Sequence, residues 1–148
     1  MSELLHQFCE SYAHHQVEKI QQQIMGLQES LQSETKSSAG DKHETGRAMV
    51  QLEREKLGIQ LAEAEYTLRI IQKIPYPPKQ QLHVHVGNFV RTTSGSYYIA
   101  ISAGKTTYES ETVFCVSAAT PIARALIGAI VGQSVVFNSK ELQVLEIS

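Results

Sequence analysis

Two carboxylates, Asp41 and Glu44, stand three residues apart in the polar segment Lys36 to Arg47, "KSSAGDKHETGR". Asp at a helix N-cap followed three residues later by Glu forms a capping box, in which each side chain satisfies the other's free amide at the helix start. The length of the segment points beyond capping. It spends about a dozen polar residues where a helix-helix connection usually takes roughly two to eight.

Other residues with chemical potential have simpler uses. "SAGKTT", residues 102–107, ends like a phosphate-binding loop, but that motif's first glycine would fall at Ile99, and the segment lies between strands; it reads as a hairpin turn. His83 and His85 alternate onto one face of an expected strand, a spacing that can ligate a metal, yet two histidines are half a site, and exposed histidines opposite a buried Leu/Val face account for them. His14 and His15 are adjacent on a helix and diverge. Cys9 and Cys115 are the only cysteines, too few for a disulfide framework and without zinc spacing. Both are expected to be buried thiols. Cys115 lies in the apolar run "VFCV", where a thiol is unactivated, which argues against an acyl-transfer nucleophile.

The elements that position these residues follow from periodicity. Leu5, Cys9, Ala13, Val17, Ile20, Ile24, Leu27 and Leu31 recur at steps of three or four and mark one helical stripe. After the polar segment a second helix offers two apolar faces. Met49, Leu52, Ile59, Tyr66, Ile70 and Ile74 lie on one; Leu57, Leu61, Ala64, Leu68 and Ile71 lie on its neighbour. Stripes of this kind must be buried, so residues 1–74 are expected to form an antiparallel two-helix coiled coil with its tip at about 34–46. Some 30 residues of helix give an arm roughly 45 Å long.

"IPYPPK" stops the second helix, and residues 75–80 read as a Pro-rich linker. Beyond it the period falls to two. "LHVHVGNFV", "SYYIAIS" and "ETVFCVS" read as strands, and "SVVFNSKELQVLEI" as two more joined by a turn at Asn138 to Lys140. Between them Thr120 is an N-cap, Pro121 the first residue of a short helix and Gly128 its end. Residues 81–148 are thus expected to be a small antiparallel sheet domain with one short helix, and the whole chain α+β.

At 148 residues the chain holds one domain, or a modest domain plus an arm. Its net charge of −2 gives no general reason to expect nucleic-acid or membrane-surface binding. The start "MSELLHQFCE" is acidic where a signal peptide is basic, and the longest uncharged apolar run, about Ala125 to Val131, is far short of the ~20 residues that cross a bilayer. A cytoplasmic protein without membrane contact is expected.

Nearly the whole chain resembles the Gre family of bacterial transcript-cleavage factors. The family's tip reads Gly-Asp-x-x-Glu-Asn-Ala; here it is Gly40-Asp41-Lys42-His43-Glu44-Thr45-Gly46. The family's C-terminal signature, Ser-Pro-Ile/Leu-Gly/Ala-Arg-Ala-Leu-x-Gly and then x-x-x-Gly and a strand, is matched by Thr120-Pro121-Ile122-Ala123-Arg124-Ala125-Leu126-Ile127-Gly128, Gly132 and "SVVF".

The resemblance implies a coiled-coil finger followed by an FKBP-like domain. The finger would enter the secondary channel of RNA polymerase while the globular domain, with the Pro121, Arg124, Leu126 and Gly128 motif, docks outside. Asp41 and Glu44 would help hold an Mg²⁺ ion shared with the polymerase active centre and orient the water that cuts a backtracked nascent RNA at its 3′ end. Carboxylates three apart near a helix start face the same way, and Mg²⁺ needs few protein acids because it keeps its waters. Such a factor is expected to be a monomer with little activity and no tightly bound metal of its own. Lys36, Lys42, His43 and Arg47 would contact RNA phosphates or polymerase acids.

The tip departs from the family after Glu44, and Lys42 and His43 place positive or titratable groups between the acids. Two alternatives therefore stand beside cleavage. One is a Gre-like regulator that occupies the channel without promoting cleavage; the other is a non-catalytic interaction module in which the acids only cap a helix.

Overall fold

A computed structural model describes residues 2–35 and 40–148, with the side chains of 34, 35 and 40–44 outside the description. Two helices of 34 residues come first, α1 (Ser2–Thr35) and α2 (Gly40–Lys73). Six strands follow: β1 (Phe89–Thr92), β2 (Gly95–Ala100), β3 (Gly104–Tyr108), β4 (Glu111–Ser117), β5 (Ser134–Phe137) and β6 (Lys140–Ile147), with the short helix α3 (Pro121–Leu126) between β4 and β5. The class is α+β. The chain divides into two compact units, Ala13–Thr67 and Met1–Tyr12 with Leu68–Ser148. Among the described residues no helix is long and apolar enough to cross a membrane.

In the helical unit, the expected stripe of α1 is the one removed from solvent: Ala13 and Ile20 are buried, and Val17, Ile24, Leu27 and Leu31 half-buried. On α2 the two candidate faces separate. Leu57 is buried, with Leu61 and Ala64 half-buried, whereas Met49, Leu52, Ile59 and Tyr66 stand exposed. The first of the two expected faces is therefore largely solvent-facing. Lys56 and Glu63 explain the choice, because they lie on the row that joins Leu52, Ile59 and Tyr66, and burying that row would desolvate both charges.

In the second unit the strands form one sheet in the order β3-β4-β2-β1-β6-β5. β1 pairs antiparallel with β2 and β6, β3 with β4, and β5 with β6. β2 and β4 pair in parallel, with Tyr98 beside Cys115, so the sheet is mixed where an antiparallel one was expected. The cause is topological: the β3-β4 hairpin folds back so that β4, its second strand, lies against β2. Two-residue turns close the hairpins, Glu109-Ser110 and Asn138-Ser139, all four residues at positive φ as right-twisted hairpins favour.

Two expected elements differ. Residues 82–88 are irregular, and the first strand begins only at Phe89. Val84 bonds on both sides to the segment after α3, its amide donating to Ala129 and its carbonyl accepting from Gly128, both at 2.8 Å. The Asn88 side chain accepts from the His85 amide at 2.9 Å, and Gly87 takes φ +97, so the chain turns there instead of extending. "SAGKTT" is not a turn either; its last four residues begin β3, and the turn comes after Tyr108.

The sheet is covered on both faces. On one, Val90, Ile99, Leu142 and Val144 pack with Ile122, Ala123 and Leu126 of α3 and with Val84 and Ala129. On the other, Phe89, Tyr98, Val113 and Cys115 are buried together with Leu5, Cys9, Ile71 and Ile74 from the roots of the two long helices. There the His6 Nδ1 lies 3.3 Å from the Tyr98 hydroxyl.

Candidate functional site

α2 starts at Gly40, so Gly40 to Arg47 of the polar segment belong to the helix. Lys, Glu and Arg are good helix formers, and acids in a first turn are favoured by the positive end of the helix dipole. Asp41 therefore sits inside the first turn, one residue past the helix start, with Glu44 at the i+3 position. Residues so spaced are neighbours on one helix face, with Cβ atoms about 5–6 Å apart, whereas i+1 and i+2 residues face elsewhere.

Arg47 follows Glu44 by three residues along α2 and is exposed. Lys36 lies outside the described residues, as do the side chains of Asp41, Lys42, His43 and Glu44. A pair of carboxylates matches the oxygen preference of Mg²⁺ but falls short of an octahedral shell, so an ion held there needs ligands from a partner and from water.

The residues of the Thr120 to Gly128 motif mainly build α3. The Thr120 hydroxyl accepts from the Ala123 amide at 3.4 Å and donates to the Ser117 carbonyl at 2.7 Å, tying the helix start to the end of β4. Pro121 holds the first helical position, where its missing amide costs nothing. Leu126 is fully buried in the core, and Gly128 takes φ +91 as its amide reaches Val84. Arg124 and Pro121 remain exposed. Beside them the sequence reading missed Ile127, Ile130 and Val131, large apolar side chains exposed around the end of α3.

A charged cluster on the sheet was also not foreseen. Arg91 of β1 grips Glu111 of β4 in bidentate fashion, Nε to Oε1 at 2.9 Å and Nη2 to Oε2 at 2.8 Å, and its Nη1 donates to Glu146 of β6. The Ser96 hydroxyl also donates to Glu111. The Arg91 guanidinium, then the Ser96 hydroxyl, hold the Glu111 carboxyl down to about 2. This cluster ties four strands together, β1, β2, β4 and β6, and presents no free acid for chemistry.

The remaining candidates do not assemble. His83 and His85 share no strand face, and the His85 Nδ1 lies 2.9 Å from the His83 carbonyl oxygen. Among the described residues no group of three or more His, Cys, Asp or Glu side chains gathers to hold a metal. Cys115 is buried as expected, and the Cys9 thiol lowers its pKa against the opposing effect of burial.

No protein-family model matches the chain, and no curated protein matches it. Among solved structures, one described as "Structure of the transcription factor Gfh1" aligns with 94% of this chain and 92% of its own, at 18% identity and a TM-score of 0.39. Similarity at that level assigns neither a family nor an activity.

Proposed function

We propose that this chain binds RNA polymerase as a Gre-type factor, inserts its two-helix arm into the secondary channel and stimulates Mg²⁺-dependent cleavage of backtracked RNA. The observation that carries the reading is the placement of Asp41 and Glu44 at i and i+3 in the first turn of α2. A capping Asp would stand ahead of the first helical residue, whereas Asp41 is the second residue of α2. The match of Thr120 to Gly128 with the family signature supports the same reading from the other end of the chain.

In this reading Asp41 and Glu44 face the polymerase's catalytic metal site, each offering oxygen to an ion whose other ligands come from the polymerase, the RNA and water. A divalent ion there supplies charge to activate the attacking water and to stabilise the leaving oxygen. Arg47 meets the RNA phosphate, while Lys36, Lys42 and His43 line the flanks against phosphates or polymerase acids. The sheet unit docks at the channel rim through Arg124, Pro121 and the exposed Ile127, Ile130 and Val131. The isolated chain cuts nothing.

One sequence observation favours a second reading, in which the tip occupies the channel without promoting cleavage. Thr45, Gly46 and Arg47 stand where the family has Asn, Ala and an aromatic or acidic residue, and Arg47 at i+3 can neutralise Glu44. Stalled, backtracked complexes of a bacterial RNA polymerase separate the readings. With Mg²⁺ present, the wild type shortens the RNA, and Asp41→Asn or Glu44→Gln abolishes shortening while polymerase binding persists. Binding without cleavage by the wild type selects the channel-occupying regulator; no binding leaves only the interaction module and sinks both.

A further inference from the structure

Cys9 and Cys115 have no part in the proposed function, yet the fold brings them together. Cys115 lies beside Tyr98 in the parallel β2-β4 pair, and the Tyr98 hydroxyl meets His6 of α1. Cys9, three residues after His6, is on the same helix face and therefore over the same patch of sheet. Both cysteines are free thiols, 0% and 3% exposed, and each shifts the other's pKa.

We propose that Cys9 and Cys115 form an oxidisable dithiol that closes to a disulfide under hydrogen peroxide, stapling the first turns of α1 to β4. The two thiols differ, which sets the order of events. The pKa of Cys9 is raised by its Cys115 neighbour and by burial, while that of Cys115 is lowered by Cys9. Cys115 is the sulfur that attacks first. Its thiolate takes one peroxide oxygen, hydroxide leaves and is protonated to water, and Cys115 becomes a sulfenic acid. The Cys9 sulfur then attacks the Cys115 sulfur, the S–S bond forms and a second water departs. In sum, two thiols and one peroxide give one disulfide and two waters, with two electrons passing from the sulfurs to the peroxide. Because both sulfurs are buried, peroxide reaches them through local opening of the α1 root, and oxidation is slow in the closed state. In a reducing compartment the pair rests as dithiol and closes only when oxidant rises.

The experiment uses the full chain, whose two cysteines make any intramolecular disulfide this one. Protein is treated with stepwise hydrogen peroxide, quenched, and its remaining thiols alkylated under denaturing conditions before intact-mass measurement. The expected result is joint loss of both thiols from a monomeric chain with a 2 Da mass decrease beneath any 16 Da methionine additions, reversal by dithiothreitol, and a melting temperature several degrees higher in the oxidised form. Cys9→Ser keeps Cys115 and is expected to gain one oxygen there instead of losing 2 Da. Exposed Met25 and Met49 report the oxidant dose. Methionine oxidation with both thiols still free, oxygen adducts on both cysteines, or a disulfide found only between chains would each overturn the proposal. None of these outcomes depends on whether the chain binds RNA polymerase.

Discussion

Replacing Glu111 by Gln removes the one charge on which Arg91 closes both arms of its fork, and its effect should depend on pH. Lowering a carboxyl from 4.5 to about 2 corresponds to roughly 3 kcal/mol of preference for the charged form in the folded chain. The side chains of Glu111 and Arg91 keep 25% and 36% of their surface in water. Solvent screening therefore reduces the net contribution to about 1–2 kcal/mol. Because the folded pKa is depressed, the contribution is complete above about pH 4.5 and is lost as pH falls through about 2. Urea unfolding, followed by near-ultraviolet circular dichroism of the tyrosines that include Tyr97 and Tyr98 of β2, reads the sheet unit directly. At pH 7 the variant is weaker by about 1–2 kcal/mol; the gap narrows below pH 4.5 and closes near pH 2. An equal gap at pH 7 and pH 3, or no gap at either, would refute the assignment of the cluster as a charge-dependent tie between strands.

Two further substitutions probe the fold. Leu57→Ala should cost the helical unit about 2–3 kcal/mol and Ile59→Ala less than about 0.5, because Leu57 is 6% and Ile59 64% exposed; far-ultraviolet melts that rank them the other way would put the Met49 face at the interface. Gly128→Ala meets no atom within 4 Å of the new Cβ, yet φ +91 is unfavourable for a side chain. Its cost is conformational, about 1–2 kcal/mol, and a calorimetric melting temperature equal to wild type would contradict that.

Much of this architecture is written in local patterns. Thr120-Pro121 announces α3 because a hydroxyl cap and a fixed φ act within one turn, and the alternation of Val113, Cys115 and their neighbours announces β4. Residues 82–88 mislead because alternation is necessary for a strand but does not make one. Asn88 and Gly87 build a turn, and Val84 is buried through its bonds to Gly128 and Ala129, far along the chain. α2 carries two apolar rows, and the periodicity is equal in both; only the cost of burying Lys56 and Glu63 separates them. The pairing of Arg91 with Glu111 and Glu146, and of Cys9 with Cys115, depends on strand order and on where α1 lands, which no local pattern encodes. At the tip, the acid spacing was legible, but the start of α2 at Gly40 was not, because Gly40 and Asp41 are poor helix formers.

The contact between His6 and Tyr98 spans 92 positions of sequence. On the ribosome, residues 13–67 can pair as soon as both long helices have emerged, since their partners are close behind them. The root of α1 has Ile71 of α2 and Ile74 just past it on the same schedule, but not its partners in the sheet. At roughly 5–20 residues per second, Leu5 and Cys9 wait about 5–20 s, only partly covered, until the strands bearing Tyr98 and Cys115 follow. This early-made segment is thus among the last to find its place, and a ribosomal pause before β4 would lengthen the time in which that face is open to a chaperone or to another nascent chain.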